Sequence, residues 1–253
     1  MTLVLTPRQY ALLWQVIDQY IETGEPVSSK ALATSGAFEV RSATIRNELA
    51  EMEHGGYLEQ LHTSGGRVPT ARAYRAYVNG LLASEGVAIG TAARRRIDEA
   101  LNEIDTGDAD AVNRTLAKVI GSISQNLVLA NMRSRPQPHT VGLSAMILFP
   151  EFQDAQRFAG LAQFIDEFEG IFEHLHRQLW ARDDGEVQVR IGAENPTQYI
   201  RDETMIVSRY RLPGGHEGTL TLIGPMRMDY RKNLGLITYA AQIANRIADN
   251  YHK

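Results

Sequence analysis

The chain has 253 residues, no cysteine and a formal net charge of −4 at pH 7. That length suits one large domain or two ordinary ones, and the absence of cysteine excludes a disulfide framework and a thiolate metal site. Arg8, Gln9, Gln15 and Asp18 interrupt residues 1–20, so no secretory pattern is present. No stretch reaches the roughly 18 apolar residues of a membrane helix. The expectation is a cytoplasmic protein with no membrane partner.

Thr6-Pro7-Arg8-Gln9 places Thr at an N-cap, Pro at the first helical position and Gln three residues after the cap. This is a capping box with its preferred proline. Tyr10, Leu13, Ile17, Tyr20 and Ile21 keep an apolar face until Gly24 stops the helix. Glu25-Pro26 predicts a turn, and Ser28 caps a short helix ending near Ser35-Gly36. The next helix starts at Ser42, buries Ile45, Leu49 and Met52, and ends at Gly55-Gly56. Two short helices across a turn of a few residues make a helix-turn-helix. Tyr57–Leu61 and the run to Pro69, separated by Ser64-Gly65-Gly66, predict a hairpin, which in this position is a wing. Thr70 caps a fourth helix carrying Tyr74, Tyr77, Val78 and Leu81.

Residues 1–82 are therefore expected to be a winged helix-turn-helix DNA-binding domain. Small, loosely patterned residues at 83–93 suit a linker. Residues 94–253 are expected to be a helical region plus an α+β domain. Helices are placed at about 94–105 and 109–131, and Arg133–Thr140, with two prolines, reads as a loop. A Phe-rich helix follows at about 154–181. Val187, Val189 and Ile191 alternate with polar residues as a strand, and 203–212 and 217–223 read as two more strands. A long last helix runs from Asp229 to about Asn250.

The helix from Ser42 turns Arg41, Ser42, Thr44, Arg46 and Asn47 away from its apolar stripe. A recognition helix reads base edges from its first turns; Arg suits guanine, Asn suits adenine, and Ser or Thr bonds either base or phosphate. An ordinary solvated helix face explains the same polarity equally well, and the hairpin that follows tips the balance to DNA. In the wing, His62, Thr63, Ser64 and Arg67 surround two glycines, a pattern suited to phosphate or minor-groove contact. Arg72 and Arg75 open the fourth helix as further phosphate contacts or as a charged outer face. Residues 1–82 carry 7 Lys/Arg against 8 Asp/Glu, yet residues 60–76 hold three Arg and no acid. Enzyme readings find no support: His174 and His176 point to different faces of a helix, Gly214-Gly215 lacks the helix of a phosphate loop, and no nucleophile meets a base. The expectation is not an enzyme, with no cofactor and no metal.

Several strings resemble one known family, the heat-inducible transcription repressors HrcA. They are Tyr20–Ser29, Ser42–Ala50, Gly56–Gln60, His62–Thr70, Tyr74–Val78, Val187–Asn195 and Ile223–Tyr230. The resemblance runs nearly end to end. It implies a reduced GAF-like domain after the linker, a homodimer, a double-stranded inverted-repeat operator upstream of chaperone genes, and the chaperonin as a partner. It also implies a departure. In typical members a long block, with much of the GAF-like sheet and an inserted dimerisation subdomain, separates the equivalents of Met132 and Gly142, which here are joined by little more than Arg133–Val141. Two other readings compete: a small-molecule-sensing regulator with a winged-helix output, which an apolar pocket among the strands would favour over a filled core, and a winged helix used for protein contact. Pairing is expected through Ile97, Leu101, Ile104, Leu116, Ile120, Ile123 and Leu127, or through the Phe-rich helix, unless these stripes fill the chain's own core.

Overall fold

A computed structural model describes residues 5–36, 38, 41–61, 66–84, 87–180 and 187–251. The wing-tip residues His62, Thr63 and Ser64 lie outside the described residues. The chain divides into two compact units, Met1–Glu85 and Gly86–Lys253.

In the first unit, α1 (Pro7–Thr23), α2 (Ser29–Thr34), α3 (Ser42–His54) and α4 (Ala71–Ala83) enclose one core, and β1 (Leu58–Glu59) pairs antiparallel with β2 (Val68–Pro69). The caps are those the sequence announces. Gln9 N donates to Thr6 Oγ1 and Thr6 N donates back to Gln9 Oε1, while Ser28 and Thr70 cap α2 and α4. Ile45, Leu49, Met52, Tyr74, Tyr77, Val78 and Leu81 are buried as expected. On α1 the buried stripe runs through Leu12, Leu13, Val16 and Ile17, whereas Tyr10 is exposed.

The second unit begins with α5 (Thr91–Asn102) and α6 (Ala109–Ser124), followed by β3 (Leu127–Met132), β4 (Arg135–Val141), α7 (Leu143–Met146) and α8 (Ala155–Leu179). It ends with β5 (Val187–Ile191), β6 (Glu203–Leu212), β7 (His216–Pro225) and α9 (Tyr230–Tyr251). The five strands form one antiparallel sheet in the order β4-β3-β7-β6-β5. One face packs Leu127, Leu129, Met205, Val207 and Ile223 against Phe164, Phe168 and Phe172 of α8. The other is covered by α6, whose Gly121 sits against Val128, and by α9, whose Tyr230 hydroxyl lies 2.8 Å from Thr204 Oγ1. A winged helix-turn-helix followed by an α+β domain is the fold the sequence led us to expect.

Two expectations are corrected. The helix placed at 109–131 stops at Ser124, because Gln125 adopts φ 60 and ends it in a left-handed turn. Leu127–Met132 is instead a strand buried on both faces, and a continuous apolar run of this length does not distinguish strand from helix by period. Arg133–Thr140 is not a loop either. Arg133-Ser134 turns the chain straight into β4, whose prolines are tolerated because β4 is an edge strand. The junction at which the family's long block was expected to be missing is thus closed by a tight hairpin.

Candidate nucleic-acid interface

The apolar stripe of α3 contains one residue that does not belong to it by polarity. Ile45, Glu48, Leu49 and Met52 follow the i, i+3, i+4, i+7 spacing of a helix's inner face, and all four are buried. A buried carboxylate needs a charged or hydrogen-bonding partner. Glu48 finds Arg8 in the first turn of α1, whose Nε donates to Glu48 Oε1 at 2.9 Å while the Nη2 group closes on the same oxygen. One residue along, Gln9 Nε2 donates to Glu51 Oε2 at 2.8 Å. The capping glutamine of α1 therefore also ties down α3. The third acid of the helix, Glu53, accepts from Arg67 Nε at 2.8 Å. All three acids of α3 are engaged from the rear.

The outward side is left with the opposite charge. Arg41, Thr44, Arg46 and Asn47 are exposed, and among the described residues none has a side-chain hydrogen bond or ion pair. Ser42 is different: it is half-buried, and its hydroxyl meets Ser29 Oγ at 3.4 Å, joining the starts of α2 and α3. The N-terminal half of α3 thus presents two guanidinium groups, a carboxamide and a hydroxyl on a helix whose own acids are turned away. Arginine and asparagine are the side chains that bond guanine and adenine edges bidentately.

The base of the wing is fastened to the turn before α2. Arg67 N donates to Val27 O and Val27 N to Arg67 O, both at 2.9 Å, so Val27 bridges to the chain beside β2. Gly66 passes the same turn so closely that a Cβ there would lie 2.5 Å from the Pro26 carbonyl carbon and oxygen. The Arg67 side chain is only 12% exposed and is spent on Glu53. The arginine expected to meet phosphate is thus paired within the protein. Arg72 is also put to internal use: its guanidinium lies 4.4 Å from the centre of the Tyr57 ring and donates to Gly55 O at 2.7 Å, closing the end of α3. Arg75 is half-buried on α4.

What the sequence did not disclose was the clamp. Its one legible signal was Glu48, a charged residue on an otherwise apolar helical stripe. Of the two readings the sequence left open for the apolar stripes, the structure takes the second. Ile97, Leu101, Leu116, Ile120, Ile123 and Leu127 are buried within the second unit, as are Phe164, Phe168 and Phe172, so these side chains fill the chain's own core. The neighbouring side chains of Ile147 and Leu148, just after α7, are 51% and 76% exposed. The core beneath α8 is packed with aromatic and aliphatic side chains. Among the described residues no group of His, Asp or Glu is set to hold a metal ion, and no helix is long and apolar enough to cross a membrane.

Comparison with known proteins places these observations. A family model described as the HrcA protein C terminal domain matches residues 73–234. The heat-inducible transcription repressor HrcA of Fructilactobacillus sanfranciscensis is 26% identical, over 98% of this chain and 99% of its own length. That alignment extends over 343 positions, so the relative carries segments that this 253-residue chain lacks. The repressor of the same name from Synechococcus sp. (strain JA-2-3B'a(2-13)) is 57% identical over 84 residues, 33% of this chain and 22% of that protein. A crystal structure of a hypothetical protein superposes with a TM-score of 0.78 at 17% identity, covering 98% of this chain and all of the other, which supports the fold.

Proposed function

Since this chain belongs to the HrcA family, whose curated members are named heat-inducible transcription repressors, we propose that it represses heat-shock genes by seating α3 in the major groove of an operator. The observation that carries this reading is the division of labour on α3: Glu48, Glu51 and Glu53 are held from behind, and Arg41, Thr44, Arg46 and Asn47 are exposed with no side-chain partner among the described residues. Arg46 and Asn47 read bases, Arg41 and Thr44 contact base or phosphate, and Ser42 sets the start of the helix. Arg72 and Arg75 supply phosphate contacts only after serving the fold. Arg67 acts by holding the wing, and contacts to the DNA backbone or minor groove are assigned to His62, Thr63 and Ser64.

The operator in this reading is an inverted repeat, and its two-fold symmetry calls for two copies of the chain. With the expected stripes committed to the core, we assign the contact between copies to the exposed Ile147–Leu148 pair. The chaperonin enters as a second partner through the family resemblance alone. The test is titration of the full chain onto an inverted repeat, a half-site and a random duplex, with light scattering of each complex. Two chains per repeat and a strong preference over random DNA are expected. Leu148→Glu should halve the mass of the free protein and weaken binding to the repeat but not to the half-site. Equal affinity for all three duplexes would defeat the reading.

A further inference from the structure

The sheet face under α8 changes character along its length. Leu127, Leu129 and Ile223 belong to the apolar core there, and residues two apart on a strand share a face. Asn131 therefore continues the row begun by Leu127 and Leu129, with Thr219 opposite it, and Thr221 stands opposite Leu129. The last turns of α8 lie over this patch. His176 Nε2 is 3.5 Å from Glu217 Oε1, and the Arg209 guanidinium lies 4.6 Å from the centre of the Trp180 ring. Glu217 and Arg209 flank Thr219 on the same face, Arg209 directly opposite it in the ladder.

Four buried polar atoms here have no hydrogen-bond partner among the described residues: Asn131 Nδ2 and Oδ1, Thr221 Oγ1 and Trp180 Nε1. Asn131 is 1% and Thr221 0% exposed. On the β4 side the ladder register breaks opposite Asn131, between the pairs Ala130–His139 and Met132–Arg135. Each orphaned polar group costs roughly 1–3 kcal/mol, a cost an apolar residue of the same shape would avoid. Buried groups of this kind call for a partner.

We propose that this patch, between the end of α8 and the Asn131–Thr221 strands, is a binding site for a small, uncharged, planar molecule bearing both hydrogen-bond donors and acceptors, such as an aromatic carboxamide or a nitrogen heterocycle. The asparagine offers a donor and an acceptor, the indole a donor, the hydroxyl either. The rings of Phe172, His176 and Trp180, with centroids 5.7 and 6.4 Å apart in succession, supply surface for a flat ligand. A formal charge is not called for, because Glu217 already faces Arg133 at 3.6 Å and His176, and Arg209 covers Trp180. Admission requires the last turn of α8 to lift from the sheet, which moves Trp180. The site is independent of the DNA reading, and its test is read on the protein alone.

Nicotinamide, benzamide and uracil are the probes, titrated into the full chain by calorimetry, with melting temperature and tryptophan emission followed in parallel. At least one should bind saturably, raise the melting temperature and change the Trp180 emission. Thr221→Val, which keeps the shape and removes the hydroxyl, should weaken that probe at least tenfold and should itself melt no lower than the wild type. Asn131→Leu serves as the second variant, with the same expected loss. Failure of all three probes to bind, or undiminished binding by both variants, overturns the proposal and leaves bound water as the partner of these groups.

Discussion

Two regions of this chain carry polar side chains with no side-chain partner among the described residues, and they differ in what that means. On α3, Arg41, Thr44, Arg46 and Asn47 stand in solvent, where water meets their hydrogen-bonding needs and the unfilled valence costs almost nothing. Under α8, Asn131 and Thr221 are sealed from water, so each unmet group weighs on the folded state. The exposed set is convincing only because the helix behind it is rigidly backed by Glu48, Glu51 and Glu53. The buried set stands out because it lies in a core otherwise built from aliphatic and aromatic side chains. A ligand surface can thus be recognised from order in one place and from cost in the other.

The largest effect should come from breaking the backing of the exposed set. Gly66→Ala places a Cβ 2.5 Å from the Pro26 backbone, and backbone cannot yield as a flexible side chain does. A loss of about 3 kcal/mol in the stability of the first unit is expected. Urea unfolding followed by Trp14 emission measures it, and operator binding should fall in step although no DNA-facing side chain has changed. Stability within experimental error of the wild type would show that the wing base is not seated as described.

The next effect attacks the face itself. Arg46→Ala or Asn47→Ala removes an exposed side chain with no partner among the described residues, so stability should move by less than about 0.5 kcal/mol. Operator affinity should fall by roughly 5- to 150-fold, the equivalent of roughly 1–3 kcal/mol, while affinity for random duplex changes far less. Anisotropy titrations on the two duplexes decide it. If Arg46→Ala left operator preference intact, α3 would not be the reading helix.

The same contrast explains how much was legible in the residues alone. The caps at Thr6, Ser28 and Thr70, the α3 stripe and the long helices α8 and α9 were readable because local spacing dictates them. The hairpin β3–β4 was not. Its first strand is apolar on both faces and so has no period to betray it, and its second carries prolines that are admissible only at a sheet edge, a fact fixed by distant strands. The outward residues of α3 were readable from polarity. The use of Arg67 for Glu53 and of Arg72 for Gly55 and Tyr57 was not, because both are tertiary contacts across more than a dozen residues. The orphaned Asn131 was hidden by the same misreading that took β3 for helix.

The smallest effect separates two meanings of Glu48. As a mere negative charge close to DNA it repels phosphate, and Glu48→Gln should then strengthen binding to every duplex alike. As the anchor of α3 to Arg8 it positions Arg46 and Asn47, and its neutralisation should weaken the operator complex while leaving or slightly raising affinity for random DNA. The geometry favours the second outcome, since the carboxylate faces α1 and is only 10% exposed. Because Arg8 is 55% exposed, solvent screens the pair, and its contribution to folding is limited to about 1 kcal/mol. The expected result is a three- to tenfold loss of the ratio between operator and random affinity, with little change in the salt slope because no phosphate-contacting cation is lost. A double-mutant cycle with Arg8→Gln supplies the control: if the two substitutions act through one contact, the double variant should lose no more preference than either single variant. Independent, additive losses would mean that Arg8 and Glu48 influence DNA separately and that the clamp is not what orients the helix.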